Sequence, residues 1–196
     1  TTKTFIQPRG MAEAVGIPVE HLVSFNFGLS MEFLPGCTQF AVAARANGDT
    51  GLIHAVNEDW MLALALPGIL KRMAQVRFPD GGIPFLTFST CGELAGQNGI
   101  NARGLAVSST LLLDRLPRDD YTPGRVHPAL VKEVLERADG IDAALDIIRR
   151  LPRSGAWSMC LSEHAADRLC YVEYDRESVE VRMRPSAAFL SASASS

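Results

Sequence analysis

The chain has 196 residues, a formal net charge of -3, and 47% hydrophobic and 21% charged residues. This composition predicts one folded domain with a sizeable core and argues against intrinsic disorder. The slightly acidic balance argues against a nucleic-acid partner, because neutralising phosphates needs a basic surface. No apolar run is long enough to span a bilayer and no export signal opens the sequence, so we expect a cytoplasmic protein without a membrane partner.

Two elements are predicted before residue 37. A short helix around Met11–Val15 is ended by Gly16-Ile17-Pro18. The stretch His21–Met31 alternates and is rich in β-branched and aromatic residues, which predicts a strand. Leu34-Pro35-Gly36 then breaks the chain directly before Cys37.

The next segment, from Cys37 to about Trp60, has the alternation of a β-hairpin. Its turn signal, Asn47-Gly48-Asp49, contains residues that accept a positive φ. A three-residue loop centred on Gly48 places Cys37 opposite Asp59, since both are 11 positions from Gly48. A two-residue loop shifts the partner by one position, to Glu58 or Trp60. A thiol and a carboxylate therefore meet at the open end of the hairpin.

The remaining elements are strands, then helices, then strands. Residues 61–80 have a mixed periodicity that favours no element. Strands are predicted at 83–90 and 105–113, two helices begin at Pro128 and Ile141, and three antiparallel strands lie between 156 and 183. The small, polar tail at 186–196 is predicted to be poorly ordered. This order indicates an α+β protein.

Cysteine and histidine are too dispersed for a metal site or a disulfide framework, and no cofactor is expected. The residues concerned are Cys37, Cys91, Cys160, Cys170, His21, His54, His127 and His164.

Cys37 is the candidate nucleophile, and its base is the open question. No histidine has an obvious partner position, although His54 on the return strand is an alternative. The α-amino group of a cysteine, with an ordinary pKa of about 7.7–8.0, serves as a base when the chain is cut just before it. Gly36 suits such a cut, because it has no Cβ to hinder attack on its carbonyl.

The order and spacing of these segments resemble a known family. Gly36-Cys37-Thr38 at the start of a strand, the Asn-Gly turn and Asn57-Glu58-Asp59-Trp60 are similar to the penicillin acyltransferase-like cysteine hydrolases. These form the isopenicillin N acyltransferase family of N-terminal nucleophile (Ntn) hydrolases. Asp80-Gly81-Gly82 and residues 99–106 support the resemblance, which runs from about residue 11 to 183. It implies an αββα sandwich of antiparallel sheets, shortened at the C-terminus or completed there by another copy.

The resemblance also implies a zymogen that cuts itself between Gly36 and Cys37. Residues 1–36 would form a small subunit or pro-segment, and 37–196 the catalytic large subunit of the same domain. The two cleaved chains are expected to stay associated, and the protein to form a homo-oligomer.

In this scheme the Cys37 thiolate attacks a small-molecule amide or acyl substrate and forms an acyl-enzyme. Asp59 orients the freed amine, while Asn57 and Thr110 are candidates for holding the oxyanion or orienting the amide. Thr110 stands in a strand where the family tends to have an asparagine. The acyl group then passes to water, as in an amidase, or to an amine, as in an acyltransferase.

Two alternatives remain at this point. One is a non-catalytic or uncleaved relative that acts as a binding or assembly protein. The other is a conventional cysteine hydrolase that uses His54 as its base.

Overall fold

The computed structural model describes residues 2–24, 37–58, 72–90, 92–112, 124–184 and 189–193. Its helices are α1 (Thr2–Val15), α2 (His127–Arg137) and α3 (Ile141–Arg150). A 3-10 helix spans Ala44–Asn47, and residues 19–24 are also helical. The strands are β1 (Cys37–Val42), β2 (Ile53–Glu58), β3 (Arg72–Arg77), β4 (Phe85–Thr90), β5 (Asn98–Asn101), β6 (Leu105–Leu111), β7 (Trp157–Glu163), β8 (Arg168–Tyr174), β9 (Val179–Arg184) and β10 (Phe189–Ser193).

Within the described part of the chain, the strands form two antiparallel sheets. The small sheet has the order β10-β1-β2, and the large sheet runs from β3 to β9 in sequence order. Strands β1 and β2 contact β6, and β1 also contacts β7, so the small sheet lies on the middle of the large one.

Helices α2 and α3 cover the other face of the large sheet, where the main apolar core lies. That core takes one set of alternate residues from the central strands, including Leu105, Val107, Met159 and Leu161. The other set faces the small sheet, and on β6 and β7 it is mostly polar, with Ser108, Thr110, Ser158 and Ser162 beside Cys160. Both strands are buried on both faces, because each face is covered by another layer.

The structure confirms most of the predicted elements. Helix α1 is longer than predicted and ends where expected, at Gly16, whose φ of 68° suits glycine. The hairpin, β4, β6, α2, α3 and the three late strands all lie close to their predicted positions. Strand β3 forms inside the segment for which the sequence favoured no element.

Two predictions were wrong. Residues 21–24 are helical rather than extended: the His21 N–H donates to the Pro18 carbonyl at 3.1 Å, which starts a helical turn. Residues 25–31 of that predicted strand lie outside the described residues. The tail was predicted to be poorly ordered, yet β10 pairs with β1 over Thr38–Val42. The backbone groups along the free side of β1 need partners, and residues 189–193 supply them.

Candidate active site

Cys37 is the first residue of β1 and faces the large sheet. It is 6% exposed and alternates with outward-facing residues along the strand. Its position places the thiol between the two sheets, at the open end of the β1–β2 hairpin. Gly36, on the other side of the predicted scissile bond, lies outside the described residues, so the cleavage itself stays a prediction.

The residue opposite Cys37 is Glu58, not Asp59. The hairpin loop is longer than a tight turn: Val42 pairs with Ile53, and residues 43–52 connect them through the 3-10 helix. The hairpin is therefore centred between positions 47 and 48, which moves the partner of Cys37 by one position. Asp59 lies outside the described residues, and its role stays a prediction.

Asn98 holds the carboxylate that faces Cys37. Its side-chain amide donates to the Glu58 carboxylate, and its carbonyl oxygen accepts the Ser109 N–H at 3.0 Å. Asn98 lies on β5 and is 4% exposed, and these two hydrogen bonds connect β2, β5 and β6. Sequence reasoning missed this residue; the available signal was an asparagine beside Gly99 in a glycine-rich stretch, and its burial came only from the structure.

The two candidate oxyanion residues lie in different places. Thr110 is buried between the sheets, with its hydroxyl 2.5 Å from the Ser158 hydroxyl. Asn57 is exposed and pairs with Thr38, so its side chain lies on the opposite face of the small sheet from Cys37. The structure brings Thr110 to the side of that sheet on which Cys37 lies and does not bring Asn57 there. Both roles stay predictions.

Gln39 forms the centre of the polar contact between the sheets. Its carbonyl oxygen accepts the Ser108 hydroxyl at 2.7 Å and the Cys160 backbone N–H at 3.3 Å. Its amide nitrogen donates to the Ser158 hydroxyl at 2.9 Å, and Ser158 in turn meets Thr110. The side chain of Gln39 is fully buried. Because burying a carboxamide without partners is costly, these bonds fix its orientation.

His54 extends the same network away from Cys37. Its Nε2 lies 2.7 Å from the Ser108 hydroxyl and its Nδ1 lies 2.6 Å from the Ser162 hydroxyl. Ser108 donates its proton to Gln39, so Nε2 carries the histidine proton and Nδ1 accepts from Ser162. Burial lowers the pKa of His54 to about 4. The imidazole is therefore neutral, and both of its nitrogens are engaged.

A groove of about 530 Å³ opens beside Glu58 and Asn98. Most of its remaining wall is apolar, and Phe88 and Met73 are 52% and 41% exposed there. The other lining residues are Val56, Asn57 and Ala74. An amide or carboxylate end and an apolar wall suit an amphipathic small molecule.

The other described cysteines are unsuited to nucleophilic chemistry. Cys160 pairs with Tyr171 and Leu161 pairs with Cys170, so the two thiols lie on opposite faces of the large sheet and cannot form a disulfide. Burial raises the pKa of Cys160 to about 12 and that of Cys170 to about 11. Cys91 lies outside the described residues.

The described ranges also bear on metal binding and on membrane insertion. No group of three or more His, Cys, Asp or Glu side chains is placed there to hold a metal ion. No helix in those ranges is long and apolar enough to cross a membrane.

Comparison with known proteins places the fold. No protein-family model matches the chain, and no curated protein does. The solved structure of the Caenorhabditis elegans N-acylethanolamine-hydrolyzing acid amidase ortholog matches with a TM-score of 0.61 and 14% identity, over 80% of this chain and 69% of that one. Two structures of the conjugated bile acid hydrolase from Clostridium perfringens match with TM-scores of 0.46 and 0.39, each at 10% identity and over 76% of this chain, covering 51% and 43% of theirs.

The first of these likenesses establishes the architecture. The chain has the α+β fold of the Ntn hydrolases, a sandwich of antiparallel sheets and helices, and this prediction is confirmed. The narrower resemblance to the isopenicillin N acyltransferase family stays a prediction.

Proposed function

We propose that this protein is a hydrolase of carbon–nitrogen amide bonds in which Cys37 is the nucleophile. The observation that carries the proposal is the place of Cys37: it begins a central strand of an Ntn-hydrolase sandwich and faces the sheet interface opposite a carboxylate, Glu58. A protein with this fold, the nematode N-acylethanolamine-hydrolyzing acid amidase ortholog, acts on amides by its name. Fold alone does not define chemistry, so the site residues carry the argument.

The proposed reaction begins with self-cleavage, in which water hydrolyses the peptide bond between Gly36 and Cys37 and leaves a carboxylate on Gly36 and a free α-amino group on Cys37. The freed α-amino group of Cys37 takes the thiol proton, and the thiolate attacks the substrate carbonyl carbon. The tetrahedral oxyanion collapses to a thioester as the carbon–nitrogen bond breaks, and the leaving amine takes the proton. Water then hydrolyses the thioester and restores the thiol. Asp59 is proposed to orient the α-amino group, and Thr110 to donate to the oxyanion.

The groove beside Glu58 supports an amide with an apolar acyl group as the substrate class. Its wall offers Phe88, Met73 and Val56 to an apolar chain, while Glu58 and Asn98 lie at the end nearest Cys37. An acyltransferase would differ only in its acceptor, with an amine in place of water in the second step.

The placement of His54 does not favour a histidine base. His54 pairs with Ala41, four residues along β1 from Cys37, which is about 13 Å at the rise of a strand. Both of its ring nitrogens are bonded to serine hydroxyls. The α-amino group therefore remains the better base for the Cys37 thiol.

Intact-mass measurement with N-terminal sequencing tests the first step. The parent chain should be cleaved between Gly36 and Cys37, and a matched Cys160→Ala variant should be cleaved at the same bond. The Cys37→Ala variant should remain uncleaved. The parent and Cys160→Ala should then release amine from a panel of N-acyl amides, and Cys37→Ala should not.

A parent chain that stays whole, with a Cys37 that resists iodoacetamide, would contradict this proposal. That result would favour the non-catalytic binding or assembly protein.

A further inference from the structure

Gln39 and Cys37 lie on the same face of β1, two residues apart. At the rise of a β-strand their Cα atoms are about 7 Å apart. Both side chains are buried against the large sheet, whereas Thr38 between them is exposed. Hydrogen bonds that fix the position of Gln39 on the large sheet therefore also fix the position of the Cys37 thiol.

The contacts on either side of Gln39 show which way β1 runs over the large sheet. Ala41 and Ala43 lie in a small buried cluster with Cys160 and Leu169, and Leu169 pairs with Ser162, so this end of β1 lies towards the Ser162 end of β7. Gln39 itself reaches back to Ser158. Cys37, one step further in the same direction, therefore lies at the end of β6 and β7 that carries Thr110 and Ser158.

The partner strand gives the same alignment independently. His54, opposite Ala41, meets Ser162 and Ser108. Glu58, opposite Cys37, meets Asn98, which binds the backbone of Ser109, next to Thr110.

Apolar packing offers little to hold this alignment. The inward residues that follow Gln39 are Ala41 on β1 and Ala43 just after its end, and both are too small to interlock with the facing strands. The Gln39 carboxamide instead makes three directional bonds to two strands of the opposite sheet. Directional bonds at a buried site specify one arrangement where small apolar side chains do not.

We propose that Gln39 is a positioning residue, whose bonds to Ser108 and Ser158 hold the Cys37 thiol at the hydroxyls of Thr110 and Ser158. The catalytic meaning of this position rests on the proposed function, but the position itself can be measured without turnover. Hydroxyl donors near a thiolate stabilise it, so a displaced thiol should react only at higher pH.

The test compares Gln39→Leu with a matched variant, Gln75→Leu. Gln75 is also a buried glutamine; it donates to Ser89 and to the Glu93 carbonyl, on the helix-covered face of the large sheet. The measurement is the rate of iodoacetamide alkylation at Cys37 against pH, located by peptide mass spectrometry, with thermal unfolding recorded for each variant.

Gln39→Leu should slow alkylation near neutral pH by at least about tenfold and move the profile to higher pH, because small displacements at a reacting centre have large rate effects. Gln75→Leu should lower the unfolding temperature and leave the profile unchanged. If the two profiles coincide, Gln39 has only a structural role and the inference is overturned.

A second pair of variants keeps the test decisive if Gln39→Leu does not fold. Ser108 and Ser162 are buried serines that both meet His54, and Ser108 also donates to Gln39. Ser108→Ala removes a bond of Gln39 without removing a hydroxyl at the thiol, so it should move the Cys37 profile, and Ser162→Ala should not. Equal effects of the two substitutions would refute the positioning role.

Failure of the proposed function would look different. In that case the parent chain stays whole and hydrolyses no amide, while the alkylation profile, extended to the high pH at which an ordinary thiol ionises, still decides whether Gln39 positions the thiol.

Discussion

Lowering the pH from 7 to 5 should decrease the free energy of unfolding by about 4 kcal/mol, because two buried histidines become protonated more readily in the unfolded chain. His127 is fully buried, with Nδ1 2.6 Å from the Tyr174 hydroxyl and its ring stacked on Trp157 at 4.0 Å between centroids. Burial lowers its pKa from 6.5 to about 3, and that of His54 from 6.5 to about 4.

The direction of this change in unfolding free energy follows from the pH at which the folded and the unfolded chain each take up protons. As the pH falls through 6.5, the unfolded chain binds a proton at each histidine, while the folded chain does so only near pH 4 at His54 and near pH 3 at His127. The contribution of these two histidines to stability is therefore fully present above pH 6.5 and is lost as the pH falls towards those values. Each pH unit in that window costs about 1.4 kcal/mol per histidine, so each has lost about 2 kcal/mol by pH 5.

Urea unfolding at pH 7, 6 and 5 measures this loss. The double variant His127→Phe with Tyr174→Phe keeps the aromatic stack on Trp157 and removes the titrating group with its hydroxyl partner. Between pH 7 and 5 the double variant should lose about 2 kcal/mol less unfolding free energy than the parent. His164→Gln, at an exposed turn residue, is the control and should follow the parent. Equal losses in the double variant and the parent would refute the reasoning.

Three further substitutions test the packing and the site. Gly96→Ala should lower the unfolding free energy by about 3 kcal/mol or more, because its Cβ would lie 1.8 Å from the backbone oxygen of Phe88. Gly10→Ala, with no atom within 4 Å of its Cβ, should raise it by about 0.5–1 kcal/mol in urea unfolding, and a loss there would contradict the helix. Asn98→Ala should slow the proposed amide hydrolysis at least about tenfold, since Glu58, opposite Cys37, loses the Asn98 donor; an unchanged rate would remove Asn98 from the site.

Much of the candidate site was predictable, because its signals are local. The break before Cys37 and the turn at positions 47–49 mark one hairpin and place a thiol at its open end. Gly48 and Asp49 do adopt positive φ values, of 65° and 57°. The register could not be read with the same precision, since the length of the loop depends on a 3-10 helix that the turn residues alone do not determine. One residue of loop length decides between Glu58 and Asp59 as the facing carboxylate.

The faces of β1 illustrate a second limit. A rule that places apolar residues inside would turn Phe40 and Val42 towards the large sheet, yet Cys37, Gln39 and Ala41 lie there instead. The interior between the sheets is polar at this point, and the partners that satisfy Gln39 lie 69 and 119 residues further along the chain.

Local sequence determined the main turns, the strand that begins at Cys37, and the strands and helices other than residues 21–24, β3, β5 and β10. These depend on the conformational preferences of neighbouring residues. Tertiary structure decided the partner strand β10, the alignment of the two sheets and the residues that surround the thiol. Each of those depends on hydrogen bonds and packing between segments far apart in the chain, whose energies no local pattern contains.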